Sequence, residues 1–459
     1  MSLLSLTLLT LTGCSDSAMS GSGYGLTPGG QQGLDNARNQ VENGQVPSPD
    51  DITVEGLLNE HDMPLEGAPC DEVVCMGLAG GVGRIDSLDA DSVLVQIGFD
   101  TNIDADTWVR PPTEFTVVID VSGSMDEEIA PIRVALLAMA DQLTSADTLA
   151  IITYGSTTQV VLGPVSGADR SAITNAIEDL RSGGSTNMEA GLELGYEVAI
   201  DAATGRNARV VLFTDEQPNT GATDPGSFKA IIQNGADHGI GLTMLGIGDS
   251  FGSGLAYEIG DLRGGNWKYL AAGDDIEAVF TDDFGFLVTP IAYDLEFELS
   301  TTSPLEAAYN VQGARDDGTI SALVTTLFLS EGHGASILQL ETAGRDPDDT
   351  RVAWGSVTFE TTDARIVTQE LEGDIGQLAG GYDGDAFAEV GTRKAAVLIN
   401  EALTAIELCQ AYQAGRPESV RDMVAETEAR LRSEATALQD PALQEEVAFF
   451  AELRANAGL

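Results

Sequence analysis

Between Phe115 and about Pro290 the chain alternates strand-like and helix-like segments, and this alternation restricts the fold more than any other feature. Phe115-Thr-Val-Val-Ile119 is short, nearly continuously apolar and rich in β-branched residues, the pattern of a strand buried on both faces. Leu149–Tyr154, Arg209–Thr214 and Ile240–Gly248 are further strands, Trp267–Leu270 is a shorter one, and Thr158–Leu162 is an extended piece at an edge. Helical spacing fills Asp126–Leu143, Asp169–Arg181, Met188–Ala203, Pro225–His238 and Asp274–Leu287. Strands and helices in turn, joined by short connections, predict an α/β fold: a doubly wound, mostly parallel sheet covered by helices on both faces.

The flanks read differently. Residues 291–375 carry polar–apolar alternation, as in Asp294–Leu299 and Val352–Glu360, which predicts half-buried strands of a β-sandwich-like domain. Residues 385–459 are helical, with Pro417 and Pro441 near helix starts. Residues 51–112 form an N-terminal flank whose strand, residues 92–99, is expected to join the β domain. The α/β domain, residues 113–290, is then an insertion into a β domain built from both flanks. Residues 15–50 are rich in Gly, Ser, Gln, Asn and Pro, and read as a flexible tether.

Charge narrows the partners. The 73 Asp and Glu against 22 Lys and Arg give a net charge of −51, which repels nucleic acid and anionic lipid headgroups. Apolar residues still make up 43% of the chain, enough for packed cores. Residues 1–14 begin with an apolar run too short to span a bilayer, followed by Leu11-Thr-Gly-Cys14. This resembles a bacterial lipoprotein signal peptide and lipobox. The resemblance implies cleavage before Cys14 and lipid on its thiol, and hence a lipid-anchored place at the bacterial cell envelope, at the outer membrane or cell surface. Cys70 and Cys75 stand close enough for a small structural disulfide outside the cytoplasm, and Cys409 sits at an apolar helical position as a core thiol.

The chemistry concentrates at three places. Asp120-x-Ser122-x-Ser124 follows the first buried strand, and ligands of open α/β sheets bind at the carboxyl ends of strands. Ser182-Gly-Gly-Ser-Thr186-Asn187 is a glycine-rich loop ahead of a helix, and Asp215 follows the strand Arg209–Thr214. Carboxylates and hydroxyls with no softer donor suit a hard divalent cation. In order and spacing, Asp120, Ser122, Ser124, Thr186 and Asp215 resemble the metal-ion-dependent adhesion site of von Willebrand factor type A domains. The whole chain more loosely resembles bacterial YfbK-like lipoproteins with such a domain. The resemblance implies that Ser122, Ser124 and Thr186 contact Mg²⁺ (or Ca²⁺ or Mn²⁺) directly while Asp120 and Asp215 act partly through water. It also implies that a protein partner's Asp or Glu carboxylate completes the ion's shell. Where the family usually has Gly after the second Asp, this chain has Glu216. Its side chain points either to solvent or into the site, where it would neutralise the ion and favour Ca²⁺.

Metal-completed protein binding without catalysis is the function this reading predicts. The alternatives are an envelope assembly scaffold acting through the C-terminal domains and a metal-dependent hydrolase. His61, His238 and His333 show no catalytic motif context, and there is no Walker loop or His-Glu-x-x-His.

Overall fold

Strand β5 (Thr113–Asp120), buried at all 8 positions, is the centre about which the α/β domain is built. The structure is a computed structural model that describes residues 23–65, 72–85, 90–104, 106–215, 221, 224–248, 251, 256, 260–270, 279–342, 350–375 and 385–459. On one side β5 pairs in parallel with β6 (Thr148–Tyr154), and on the other with β8 (Asn207–Thr214). Beyond β8 lie β9 (Ile240–Ile247), β10 (Gly265–Leu270) and the two-residue β2 (Gly30–Gln31), all parallel. An antiparallel edge strand, β7 (Gln159–Ser166), closes the other side. Chain order reverses about β5, so its carboxyl end is a topological switch point.

Helices cover both faces, as the alternation predicts. α3 (Ile129–Gln142) and α4 (Arg170–Glu178) share one core with Phe115, Val117 and Ile119, while α5 (Met188–Ala202) and α6 (Pro225–Asp237) share the other with Val118, Ile152 and Tyr154. α5 lies close on the sheet because Gly191 and Gly195, one turn apart, face it. A Cβ on Gly191 would run into the Tyr154 ring, and one on Gly195 into Val118. The helix Asp274–Leu287 is seen only in part: residues 274–278 lie outside the described residues, Val279–Asp283 is a π-helical turn, and Phe284–Leu287 is α-helical.

The second sheet is antiparallel and has eleven strands among the described residues. Its path runs β12 (Leu305–Tyr309), β15 (Ala335–Glu341), β4 (Ala90–Asp104), β1 (Gly23–Pro28), β14 (Ile320–Ser330), β11 (Pro290–Thr301), β16 (Arg351–Thr361) and β17 (Ile366–Asp374). β13 (Gln312–Asp316) pairs with β14, β3 (Cys75–Ile85) with β4, and β18 (Ala386–Phe387) with β3. The sheet folds over itself, so that Val93, Val95 and Ile97 of β4 share a core with Leu295, Phe297 and Val357 from the other half. A sandwich-like body therefore arises from one sheet. Ser92 to Gly98 pairs continuously with Ala335 to Glu341, so the α/β domain is inserted between strands of one β domain. At the junction Trp108 and Phe286 stack at 6.1 Å, and Tyr24 meets both edge-on at 5.7 and 5.1 Å.

The expected tether at 15–50 needs correcting from residue 23 onward. That stretch holds β1 and β2, and then α1 (Asp35–Glu42), with α2 (Val54–Glu60) following; Leu26, Leu34, Ala37 and Val41 are at most 1% exposed. Few apolar residues suffice here because they bury against helices far away in the chain: α7 (Val390–Gln413), α8 (Arg421–Leu438) and α9 (Pro441–Asn456) share one core with Leu34, Val41 and Leu57. The Asn456 amide donates to the Val41 carbonyl at 2.8 Å. N-terminal segment and C-terminal helices are thus a single packed unit.

Cys14 and Cys70 lie outside the described residues, as does the first part of the tether. Cys75 is disulfide-bonded, and Cys409 is a free, buried thiol in the helical core. No described helix is long and apolar enough to cross a membrane.

Candidate metal centre

Two neighbouring parallel strands bring the acidic residues together. Asp120 is the last residue of β5 and Asp215 follows the last residue of β8, so their carboxyls emerge at adjacent carboxyl ends. The loop after β5 turns into a short 3₁₀ helix, Gly123–Asp126, because Ser122 leaves the strand in an extended conformation and Asp120 Oδ1 accepts from the Ser122 amide at 2.8 Å. This sets the Ser122 hydroxyl 3.0 Å from that of Ser124.

Backbone bonds hold the glycine-rich loop on top of this turn. The Gly183 amide donates to the Val121 carbonyl at 2.7 Å, and the Gly123 amide to the Gly184 carbonyl at 3.0 Å. Gly184 has φ +101°, and a Cβ there would meet the Ser156 hydroxyl, so only glycine fits. Ser182 Oγ donates to Asp126 Oδ1 at 2.6 Å, a second tie between the loops. Asp126 therefore links loops here, beyond the dipole role expected of a helix's first turn. Asn187 caps α5 by accepting from the Ala190 amide at 3.1 Å, which fixes where Thr186 stands.

Asp120, Ser122, Thr186 and Asp215 are each at most 1% exposed, while Ser124 is exposed at the mouth. Asp120 Oδ2 and both Asp215 oxygens have no hydrogen-bond partner among the described residues. Burial pushes Asp120 up to about 6 against its hydrogen bonds to Ser122, and the nearby Asp215 charge adds to the rise. Buried carboxylates left without partners are costly, and a cation is the usual remedy. The donor set fits a hard divalent ion: hydroxyls from Ser122, Ser124 and Thr186, carboxylates from Asp120 and Asp215. Glu216 lies outside the described residues.

Tyr154 belongs to this place and was not foreseen. It pairs in register with Asp120 across β5 and β6 and is fully buried, with Thr214 and Asp120 as the polar groups beside its hydroxyl. Burial, then the Asp120 charge, holds its phenol well above the ordinary range. A strand ending in tyrosine beside one ending in aspartate was the only hint in the sequence. His61 is the second residue missed; it lies in a separate buried cluster.

Residues 115–217 match the family model of the von Willebrand factor type A domain. The chain therefore carries a von Willebrand factor type A domain over those residues. Its similarity extends to proteins of the YfbK type. It is 30% identical over 193 residues to the uncharacterised protein YfbK of Escherichia coli (strain K12), a stretch covering 41% of this chain and 34% of YfbK. It is 27% identical over 162 residues to the uncharacterised protein sll0103 of Synechocystis sp., covering 35% of this chain and 38% of that one. The chain thus spans little more than a third of the length of these curated relatives. Among solved structures, a von Willebrand factor type A protein from Catenulispora acidiphila is 16% identical, with 83% of this chain and 89% of that one covered at a TM-score of 0.49.

Proposed function

We propose that this protein binds an acidic side chain of a protein partner through a divalent cation, Mg²⁺ or else Ca²⁺ or Mn²⁺. The cation would be held by Asp120, Ser122, Ser124, Thr186 and Asp215. The observation that carries the reading is the set of three unpartnered oxygens on Asp120 and Asp215, buried at the switch point of the sheet. When bound, the cation supplies a Lewis-acidic position for an anionic oxygen. The chain's own part is to present neutral hydroxyls toward it, which leave its charge undercompensated, and to keep Asp120 and Asp215 fixed by β5 and β8. Exposed Ser124 marks the side from which a partner carboxylate would approach. The role is binding and not catalysis. Its setting is the bacterial envelope, with lipid on Cys14 as the anchor.

Calorimetric titration of Mg²⁺, Ca²⁺ and Mn²⁺ into the full chain and its Asp120→Ala variant tests the site. The expected result is one ion per chain, lost in the variant. Retention on beads carrying a Glu-presenting peptide, compared with its Gln counterpart, tests the partner chemistry. Chelator should abolish retention, and equal capture of both peptides refutes the carboxylate reading.

A further inference from the structure

A second ionisable cluster lies in the unit formed by the N-terminal segment and the C-terminal helices. Arg38 stands on α1, Glu60 ends α2, His61 follows it, Glu401 lies on α7 and Glu446 on α9. His61, Glu401 and Glu446 are 4%, 0% and 3% exposed. His61 Nε2 is 3.0 Å from Glu446 Oε1. Arg38 Nη2 donates to Glu60 Oε2 at 2.5 Å and to Glu446 Oε1 at 2.8 Å, and the Leu34 amide donates to Glu60 Oε1 at 2.6 Å.

These bonds leave much unused. His61 Nδ1 is buried without a hydrogen-bond partner among the described residues, and the buried Glu401 carboxyl lies beside that of Glu446, burial and then the Glu446 charge holding it well above the ordinary carboxylate range. One ligand atom from each of Glu60, His61 and Glu446 lies within 4.8 Å of the other two. Arg38 is one guanidinium facing three carboxyls. The nearby ammonium groups are engaged elsewhere, Lys394 with Asp440 at 2.6 Å and Lys268 with Asp35 at 3.1 Å.

We propose that Glu60, His61 and Glu446, backed by Glu401, bind a divalent transition cation, Zn²⁺ being the best chemical match, which pins the N-terminal segment to the C-terminal helices. An imidazole nitrogen among carboxylate oxygens suits Zn²⁺, Mn²⁺ or Fe²⁺ better than Mg²⁺ or Ca²⁺, which take oxygen alone. The ion takes the place of the proton in the His61 Nε2–Glu446 Oε1 hydrogen bond, with His61 binding through Nε2 as the neutral tautomer that carries its proton on Nδ1. Zinc bonds of about 2.0–2.1 Å put two ligands of a tetrahedral site about 3.3 Å apart, little more than their present separation. Glu60 then turns one oxygen from Arg38 to the ion, with the Leu34 amide still holding its other oxygen. Three positive charges, two on the ion and one on Arg38, meet three carboxylates, and the displaced protons leave to solvent. Four chain segments converge here, so the ion closes a loop that runs nearly the whole length of the described chain.

The test uses the full chain carrying Asp120→Ala, which removes the first site, in buffer with excess Mg²⁺ to occupy exposed carboxylates. Zn²⁺ is titrated by calorimetry, thermal unfolding is followed in parallel, and Co²⁺ reports ligand geometry by visible absorption. The expected result is one Zn²⁺ per chain, a raised unfolding temperature and a tetrahedral Co²⁺ spectrum. His61→Gln, which keeps size and polarity, should abolish all three, and Glu401→Gln should weaken Zn²⁺ about 10-fold. Circular dichroism of each variant verifies folding. Uptake that persists in folded His61→Gln, or no stoichiometric uptake at all, overturns the proposal. Because the parent lacks Asp120, failure here leaves the first site untouched, and failure of the first leaves this one standing.

Discussion

The two carboxylate clusters differ in where their counter-charge comes from. At the carboxyl ends of β5 and β8, Asp120 and Asp215 are buried with three oxygens unpartnered, and no Lys or Arg forms an ion pair with either among the described residues. At the junction of α1, α2, α7 and α9, Glu60 and Glu446 already hold Arg38 between them. The first cluster is strained by its own charge and is relieved only by something from outside. The second is held together by an internal cation and has donors to spare. Burial alone therefore does not define a binding site; the balance of charge within it does.

The contrast can be broken most sharply by removing the internal cation. Arg38→Met should destabilise the chain by about 3–5 kcal/mol, since it strands Glu60 and Glu446 in the interior. Urea denaturation in chelator measures it, and a loss below 1 kcal/mol, roughly a surface pair's worth, would make the cluster no more than surface decoration.

Next is the pH response of the metal-free chain. The folded value of Asp120, about 6, lies above the ordinary carboxylate value of about 3.9. The protonated form is thus favoured by folding. Its contribution is full below about pH 4 and is lost as pH rises to about 6, by at most about 3 kcal/mol. Denaturation at steps from pH 4 to 7 should show this fall in the parent and a flatter profile in Asp120→Asn. Added Mg²⁺ should restore most stability above pH 6. An identical profile for both chains would remove Asp120 from the account.

The smallest effect has the opposite sign to the first. Asp215→Asn takes away one of two adjacent buried charges and should stabilise the metal-free chain by about 1–2 kcal/mol while lowering Mg²⁺ affinity. Destabilisation in chelator would show that Asp215 has an internal partner after all.

Much of the first cluster was legible because its parts are local. Asp120, Ser122 and Ser124 occupy one loop, Thr186 stands just ahead of a capped helix, and Asp215 follows an apolar strand. A parallel sheet places strand ends side by side whatever the details of packing. Tyr154 escaped notice because its role depends on which strand neighbours β5, a matter of register and not of motif.

What the sequence determined alone was therefore the α/β insert and its order of strands and helices, with Asp120 and Asp215 at strand ends. Each follows from hydrophobic period and turn chemistry over short spans. Only the tertiary structure decided that residues 23–65 are part of a core, and that His61 stands among Arg38, Glu60, Glu401 and Glu446. Those residues are separated by up to about 400 positions, and no local pattern marks a polar, glycine-rich stretch as ordered. Its few apolar side chains, Leu34, Val41 and Leu57 among them, gain enough burial only when α7, α8 and α9 are present to receive them.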